Sequence, residues 1–284
     1  MATLQTYLTA TQRLLHDANA KYWTIATLTD AVNAACKRVV GDSGCNRQLQ
    51  TAYLSGNLEL YAYGSVSGAI VTTAGSGYTV APAVTFSDPP TGGTTATGIA
   101  VLLNGTVGQI QVTNIGSGYL TAPTCTIAAP VSGVQAHATA TILSPKTLDT
   151  LNITVVWGTE RIILRRMSFT EFQATVRSWT GFTQRPVYCA SYGQMGWYIG
   201  PIPDMTYTSE WDTILIPDDL VNMTDVSVIR SPYDECVPYY AAHIAKYQEQ
   251  SYADADKFLE IYTRKMQYSR RVVMMRMLPT AYGA

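Results

Sequence analysis

The side chains best suited to acid–base, thiol or metal chemistry in this 284-residue chain are three histidines, five cysteines and 20 carboxylates. His16, His137 and His243 are isolated from Cys36, Cys45, Cys125, Cys189 and Cys236, and no cysteine pair has Cys-x-x-Cys spacing. Buried, reduced thiols are therefore expected rather than a zinc site. An odd number of cysteines spread through a chain this long is not a disulfide scaffold. Nucleophilic catalysis needs a nucleophile beside a base, and no Gly-x-Ser-x-Gly elbow, His-Glu-x-x-His pair or P-loop occurs. Asp254 and Asp256 lie two apart on an expected helix, so their carboxylates diverge. His243 reads as a helix residue making a local hydrogen bond. No catalytic, metal-binding or cofactor-binding residue is assigned, and no enzyme is expected.

Two glycine-rich turns are the next candidates. Gly75-Ser76-Gly77-Tyr78 followed by Ala81-Pro82 recurs as Gly116-Ser117-Gly118-Tyr119 followed by Ala122-Pro123, at a constant offset of 41 residues. A dinucleotide fingerprint needs a third glycine and a following helix, and Thr79-Val80-Ala81-Pro82 supplies neither. Alternating residues bounded by Gly and Pro read instead as strand–turn–strand, duplicated so that two weak copies share one core.

The carboxy terminus offers binding rather than catalysis. After Glu260 there is no acidic residue, while Arg264, Lys265, Arg270, Arg271 and Arg276 are interleaved with Met266, Met274, Met275 and Met277. Thioethers and planar guanidinium groups suit an acidic, apolar groove. Arg270, Arg271, Met274, Arg276, Met277 and Tyr282 are the candidate docking residues. Pro279 ends any helix, and the terminus is expected to stay poorly ordered beyond about Met275 until something ties it down. The same cations would also complement a helix dipole or bind a nucleic-acid backbone without sequence preference.

Around these stretches, charge defines the organisation. Between Glu59 and Lys146 the only charged residue is Asp88, whereas both flanks have ordinary charge density. An inserted all-β domain is expected over 65–145, and a discontinuous core domain over 1–64 and 146–284. In the flanks, Leu4, Tyr7, Leu8, Leu14 and Leu15 form one helical stripe. Leu28, Val32, Ala35 and Val39 form a second, with Thr27 as its expected N-cap. Strands are expected near 49–63, 151–157, 161–164 and 187–216, and a short helix from a Ser168/Glu171 capping box to Trp179. The chain closes in helices, one carrying Tyr240, Ile244 and Tyr247 as its apolar face and one from about Tyr252 to Met277; a single kinked helix is the alternative. The fold class expected is α+β: a helical core, made of the N-terminal helix pair and long C-terminal helices, with a β-region and the inserted β-domain.

Two resemblances follow from these residues. The doubled Gly-Ser-Gly-Tyr…Ala-Pro segment resembles β-repeats of tail and virion proteins of bacteriophages. The helix pair, the β-region, then Pro238-Tyr-Tyr-Ala-Ala-His-Ile-Ala-Lys-Tyr247 and the Ala/Asp-rich final helix resemble the head-to-tail adaptor (connector) proteins of tailed phages. An insertion of about 80 residues departs from that pattern. The resemblance implies a virion structural protein at the head–tail junction, assembled in the host bacterial cytoplasm. Its partners would be the portal protein, a tail or nozzle protein and further copies in a ring, commonly of twelve, around passing genomic DNA. A tail, receptor-binding or decoration protein is the alternative, a hydrolase a more distant one.

Composition agrees with a folded chain: 47% apolar residues, 14% charged and a net charge of −1. Neither disorder nor a general affinity for nucleic acid follows from such values. No apolar run approaches the ~18 residues of a membrane span. With no basic residue before Arg13 and no apolar h-region, a secretory signal is not expected. Nineteen tyrosines against five phenylalanines suit an interface protein, though strands also favour tyrosine.

Overall fold

A computed structural model describes residues 1–90, 92–178, 181–194 and 196–277, the last four by their backbone alone. Helices α1 (Leu4–Leu14) and α2 (Ile25–Ser43) open the chain, followed by β1 (Arg47–Leu54) and β2 (Leu60–Ala62). Six strands come next: β3 (Val66–Thr73), β4 (Ala83–Phe86), β5 (Thr97–Leu103), β6 (Thr106–Asn114), β7 (Thr124–Ile127) and β8 (His137–Ile142). Then β9 (Thr147–Trp157), β10 (Glu160–Ile163) and β11 (Arg165–Met167) precede the helix α3 (Phe169–Thr175). The chain continues through β12 (Tyr188–Tyr192), β13 (Gly196–Gly200) and β14 (Tyr207–Leu215) into α4 (Val237–Gln248) and α5 (Tyr252–Met277).

This corrects the expected α+β fold on a helical core with long C-terminal helices. About 35% of the chain is strand against about 28% helix, and six of the strands close a barrel. The strands carry two hydrophobic cores of their own. Helical stripes of Leu and Val are conspicuous in a sequence. The barrel is lined instead by small residues such as Ala69, Ala96, Ala100 and Ala140, which advertise burial weakly.

The chain divides into two compact units, Met1–Arg47 with Ile214–Ala284 and Gln48–Thr213. In the first, the stripes of α1 and α2 form one core with α4, α5 and Leu220, Ile229 and Tyr233. The N-cap of α2 is Thr24, whose hydroxyl accepts from the Thr27 N–H, so the helix begins a turn before the expected cap. Gly44 ends it with φ 66°, the left-handed conformation a helix terminus favours in glycine. The most buried face of α4 is Ala241, Ala242 and Ala245, not the expected tyrosines; Tyr247 is 57% exposed. Small side chains let neighbouring helices pack closely here, which the larger rings would prevent. Gln250, at φ 64°, separates α4 from α5, so the two are distinct helices.

In the second unit, two four-stranded sheets run in the orders β1-β14-β9-β10 and β11-β12-β13-β2. Leu54, Tyr61, Ile153, Val155, Trp197 and Trp211 lie in the core that these strands bury. The β9–β10 hairpin turns at Gly158, pairing Trp157 with Glu160. Ser168 caps α3 by accepting from the Glu171 N–H, and the helix ends at Thr175; the expected end, Trp179, lies outside the described residues.

The barrel, in the order β3-β6-β5-β4-β7-β8, is the duplicated segment closed on itself. Ala69 pairs with Ile110 and Thr85 with Thr126, and in each pair the partners are 41 residues apart. A pseudo-twofold axis therefore crosses the barrel through these two points. Each motif tyrosine clamps the other repeat's loop. Tyr78 donates its hydroxyl to the Ala128 carbonyl (3.1 Å) and accepts from the Ala136 N–H (2.9 Å). Tyr119 does the same with Ser87 (3.1 Å) and Ala96 (2.9 Å). The glycines make this possible: Gly77 has φ 83°, and a Cβ there would lie 1.7 Å from the Ser132 carbonyl oxygen.

Candidate docking surface

The helix α5 positions the basic carboxy-terminal residues, and its inward face decides which of them reach solvent. Tyr262, Met266 and Ser269 are buried, and Val273 packs on the same core. The Ser269 hydroxyl donates to the Pro232 carbonyl (3.2 Å). Helical spacing then turns Arg264, Tyr268 and Arg271 outward, at i, i+4 and i+7. All three are exposed, Tyr268 by 66%.

Arg270 lies between these faces. Its guanidinium donates to the Asp42 carbonyl at the last turn of α2, where unpaired carbonyls and the helix dipole favour a cation. The Asp42 carboxylate accepts from the Tyr262 hydroxyl (2.7 Å) and from Arg38 Nε (2.9 Å). Burial, then the hydrogen bond to Asp42, raise the Tyr262 phenol well above its ordinary range, so it remains a neutral donor. Arg264 pairs with Glu260 (2.7 Å), and Lys265 pairs with Glu235 (3.1 Å) while lying 5.2 Å above the Tyr239 ring. Arg271 has no ion-pair partner among the described residues. The side chains of Met274, Arg276 and Met277, and all of Tyr282, lie outside the described residues, as does the terminus expected to be poorly ordered. The structure thus separates Arg270, engaged within the chain, from Arg271, which faces solvent. Tyr268 completes the outer stripe; its spacing from Arg264 and Arg271 was the signal for it.

The candidates for chemistry are dispersed. His243 Nδ1 is 2.8 Å from the Ala255 carbonyl oxygen, a helix-to-helix hydrogen bond. Among the described residues, no group of three His, Cys, Asp or Glu side chains is placed to hold a metal ion. The five cysteines are free, and burial pushes the Cys36 thiol up to about 12 and those of Cys125 and Cys189 up to about 11. Such thiols stay protonated and unreactive at neutral pH.

The second unit holds a cavity of about 390 Å³ lined by Glu59, Phe172, Arg177, Phe182, Ile199 and Gly200, among others. Arg177 bonds Glu59 (2.8 Å) and stacks 4.9 Å from the Tyr198 ring centre. The pair neutralises itself, and among the described lining residues there is no nucleophile or histidine. Glu59 and Arg177 are 118 residues apart, and nothing in the sequence linked them.

In comparisons with known proteins, no family model matches this sequence and no curated protein does.

Proposed function

We propose that the chain is a virion structural protein of a tailed phage: a head-to-tail adaptor that forms a ring of twelve copies between portal and tail. Genomic DNA would pass through the ring without sequence recognition, and no cofactor is needed. One observation carries the reading beyond the resemblance: helices from both chain ends share one core, and α5 leads from it with an outward stripe of Arg264, Tyr268 and Arg271. Docking onto an acidic, apolar portal groove would use Arg271 together with Met274, Arg276, Met277 and Tyr282, while Arg270 secures the helix. Heterologous interfaces that close by rotation produce such rings.

Negative-stain imaging of portal particles mixed with the protein tests this. A fixed ratio of copies to portal subunits at the head–tail junction is the expected result. Scattered monomers on the particle surface overturn it. The docking residues are tested by truncation after Val273, which spares the buried face of α5. It is expected to leave the melting temperature nearly unchanged and to remove most portal affinity. Arg271→Glu should weaken docking more at low salt than at high salt, because salt screens exposed charges. Undiminished affinity of both variants would move the docking surface elsewhere. The charge-poor duplicated barrel favours a second reading, a receptor-binding or decoration protein, which binding to host envelope rather than to portal would select.

A further inference from the structure

The two repeats of the barrel are alike in backbone and opposite in surroundings. Repeat two contributes β8, whose outer row passes under β1 of the same unit. There the Tyr53 N–H donates to Thr141 Oγ1 (2.8 Å). Beside it the Ser55 N–H donates to the Ser67 carbonyl (3.2 Å), and Ser55 Oγ accepts from the Val112 N–H (2.9 Å). Leu143, just past β8, is 1% exposed in the core of the two sheets. Gly68 is required at this crossing, since a Cβ there would come 2.6 Å from the Tyr53 carbonyl oxygen.

The pseudo-twofold axis carries this row onto β5. The tyrosine clamps set the correspondence, matching Ala136 to Ala96, so that Thr139, Thr141 and Leu143 map onto Ile99, Val101 and Leu103. Among the described residues, nothing covers that second row as β1 covers the first. Ile99, Val101 and Leu103 are 52%, 36% and 64% exposed. They alternate along β5 with the inward Ala100, so they share one outer face. Their cross-strand neighbours are uncharged: Gln109 opposite Val101, Gln111 opposite Ile99 and Ala83 on the other side. Thr139 is exposed, as its twin Ile99 is, but Thr141 is partly covered under β1 and Leu143 is buried, whereas Val101 and Leu103 offer bare aliphatic groups, the reverse of what solvent selects.

We propose that this strip is a contact between copies of the chain, seated on the barrel of a second copy. Charge identifies the occupant. A strip with no charged group in or beside it fits a surface that is equally free of charge, because a charge buried against it would lose its hydration without a partner. In this sequence such a surface is found between Glu59 and Lys146, where Asp88 is the sole charged residue and is hydrogen-bonded to Thr95 (2.6 Å). Identical barrels meeting there also avoid the like-charge repulsion that charged faces of identical copies risk. The replacement of Gly68 by Gln109 at the equivalent crossing rules out a close backbone approach like that of β1, so the contact is made by side chains. The contact suits a ring but does not rest on it: a failed portal assay leaves it intact.

Sedimentation equilibrium of the full-length protein over a wide concentration range is the test. The wild type is expected to associate with rising concentration, and Val101→Lys to weaken that association at least tenfold with an unchanged thermal melt. Val101→Thr copies the covered twin, Thr141, and so is compatible with the barrel; it should weaken association severalfold. Leu49→Lys, at another exposed aliphatic outside the barrel, should leave association unchanged. A wild-type chain that stays monomeric throughout overturns the proposal. So does equal association of the Val101 variants, or equal weakening by Leu49→Lys.

Discussion

The helical unit and the barrel reach a closed core by opposite means. In the helical unit, large side chains meet across the chain ends: Leu4, Tyr7, Leu28 and Val32 pack with Val237, Tyr262 and Met266. Its polar links are long side chains, as where Tyr262 and Arg38 share the Asp42 carboxylate. The barrel has little to bury beyond alanines, a few larger aliphatics, Phe86 and two tyrosines, and it closes through backbone contacts that only glycine permits. The difference teaches where each is fragile. A helical core loses stability in proportion to volume removed, whereas a glycine-clamped barrel fails when a single atom is added.

The sharpest way to break that comparison is Gly77→Ala. The added methyl would sit 1.7 Å from the Ser132 carbonyl oxygen at a positive φ, so the loop must move. A loss of about 4 kcal/mol is expected in urea unfolding. Its twin, Gly118→Ala, meets Gly93 Cα at 2.9 Å and should cost only about 2 kcal/mol. Equal costs would mean the repeats are not clamped differently at this point. In the helical unit, Leu28→Ala should cost about 2–5 kcal/mol through the cavity it leaves.

Smaller effects test the pseudo-symmetry itself. Tyr78→Phe and Tyr119→Phe each leave one buried N–H without its acceptor, at Ala136 and Ala96 respectively. About 1–3 kcal/mol is expected for each, and the two should agree within error because the geometry is the same. Unequal values would break the equivalence of the repeats. Tyr262→Phe removes a donor from a partly exposed carboxylate and should cost about 1 kcal/mol.

The smallest effect is one of pH. Desolvation works to raise the Asp17 carboxyl, but the N–H groups of Trp23, Tyr22 and Lys21 outweigh it and hold the group below the ordinary carboxylate range. A depressed folded-state value means that its stabilisation is complete above the ordinary value of 3.8 and is lost as pH falls through the folded value. Asp17→Asn should therefore lower the melting temperature at pH 7 and flatten its fall in acid. An identical acid limb in both proteins would remove Asp17 from the loop's support.

Much of this molecule was determined by its sequence alone. The stripes of α1 and α2, the extent of α5 and the Ser168 cap follow from local propensity and spacing, which act within a few residues. The 41-residue repeat announced a duplicated β-unit, because each copy carries its own turn chemistry. Closure of the barrel was not legible, since it depends on which strand edges meet, and its small inward side chains carry little pattern. Nor was the tertiary sorting of the arginines: one residue of helical phase separates Arg270, bound to the end of α2, from Arg271 in solvent. The Glu59–Arg177 pair and the covering of Leu143 but not Leu103 were likewise decided only in three dimensions, because each depends on chain segments brought together by folding rather than on spacing along the chain.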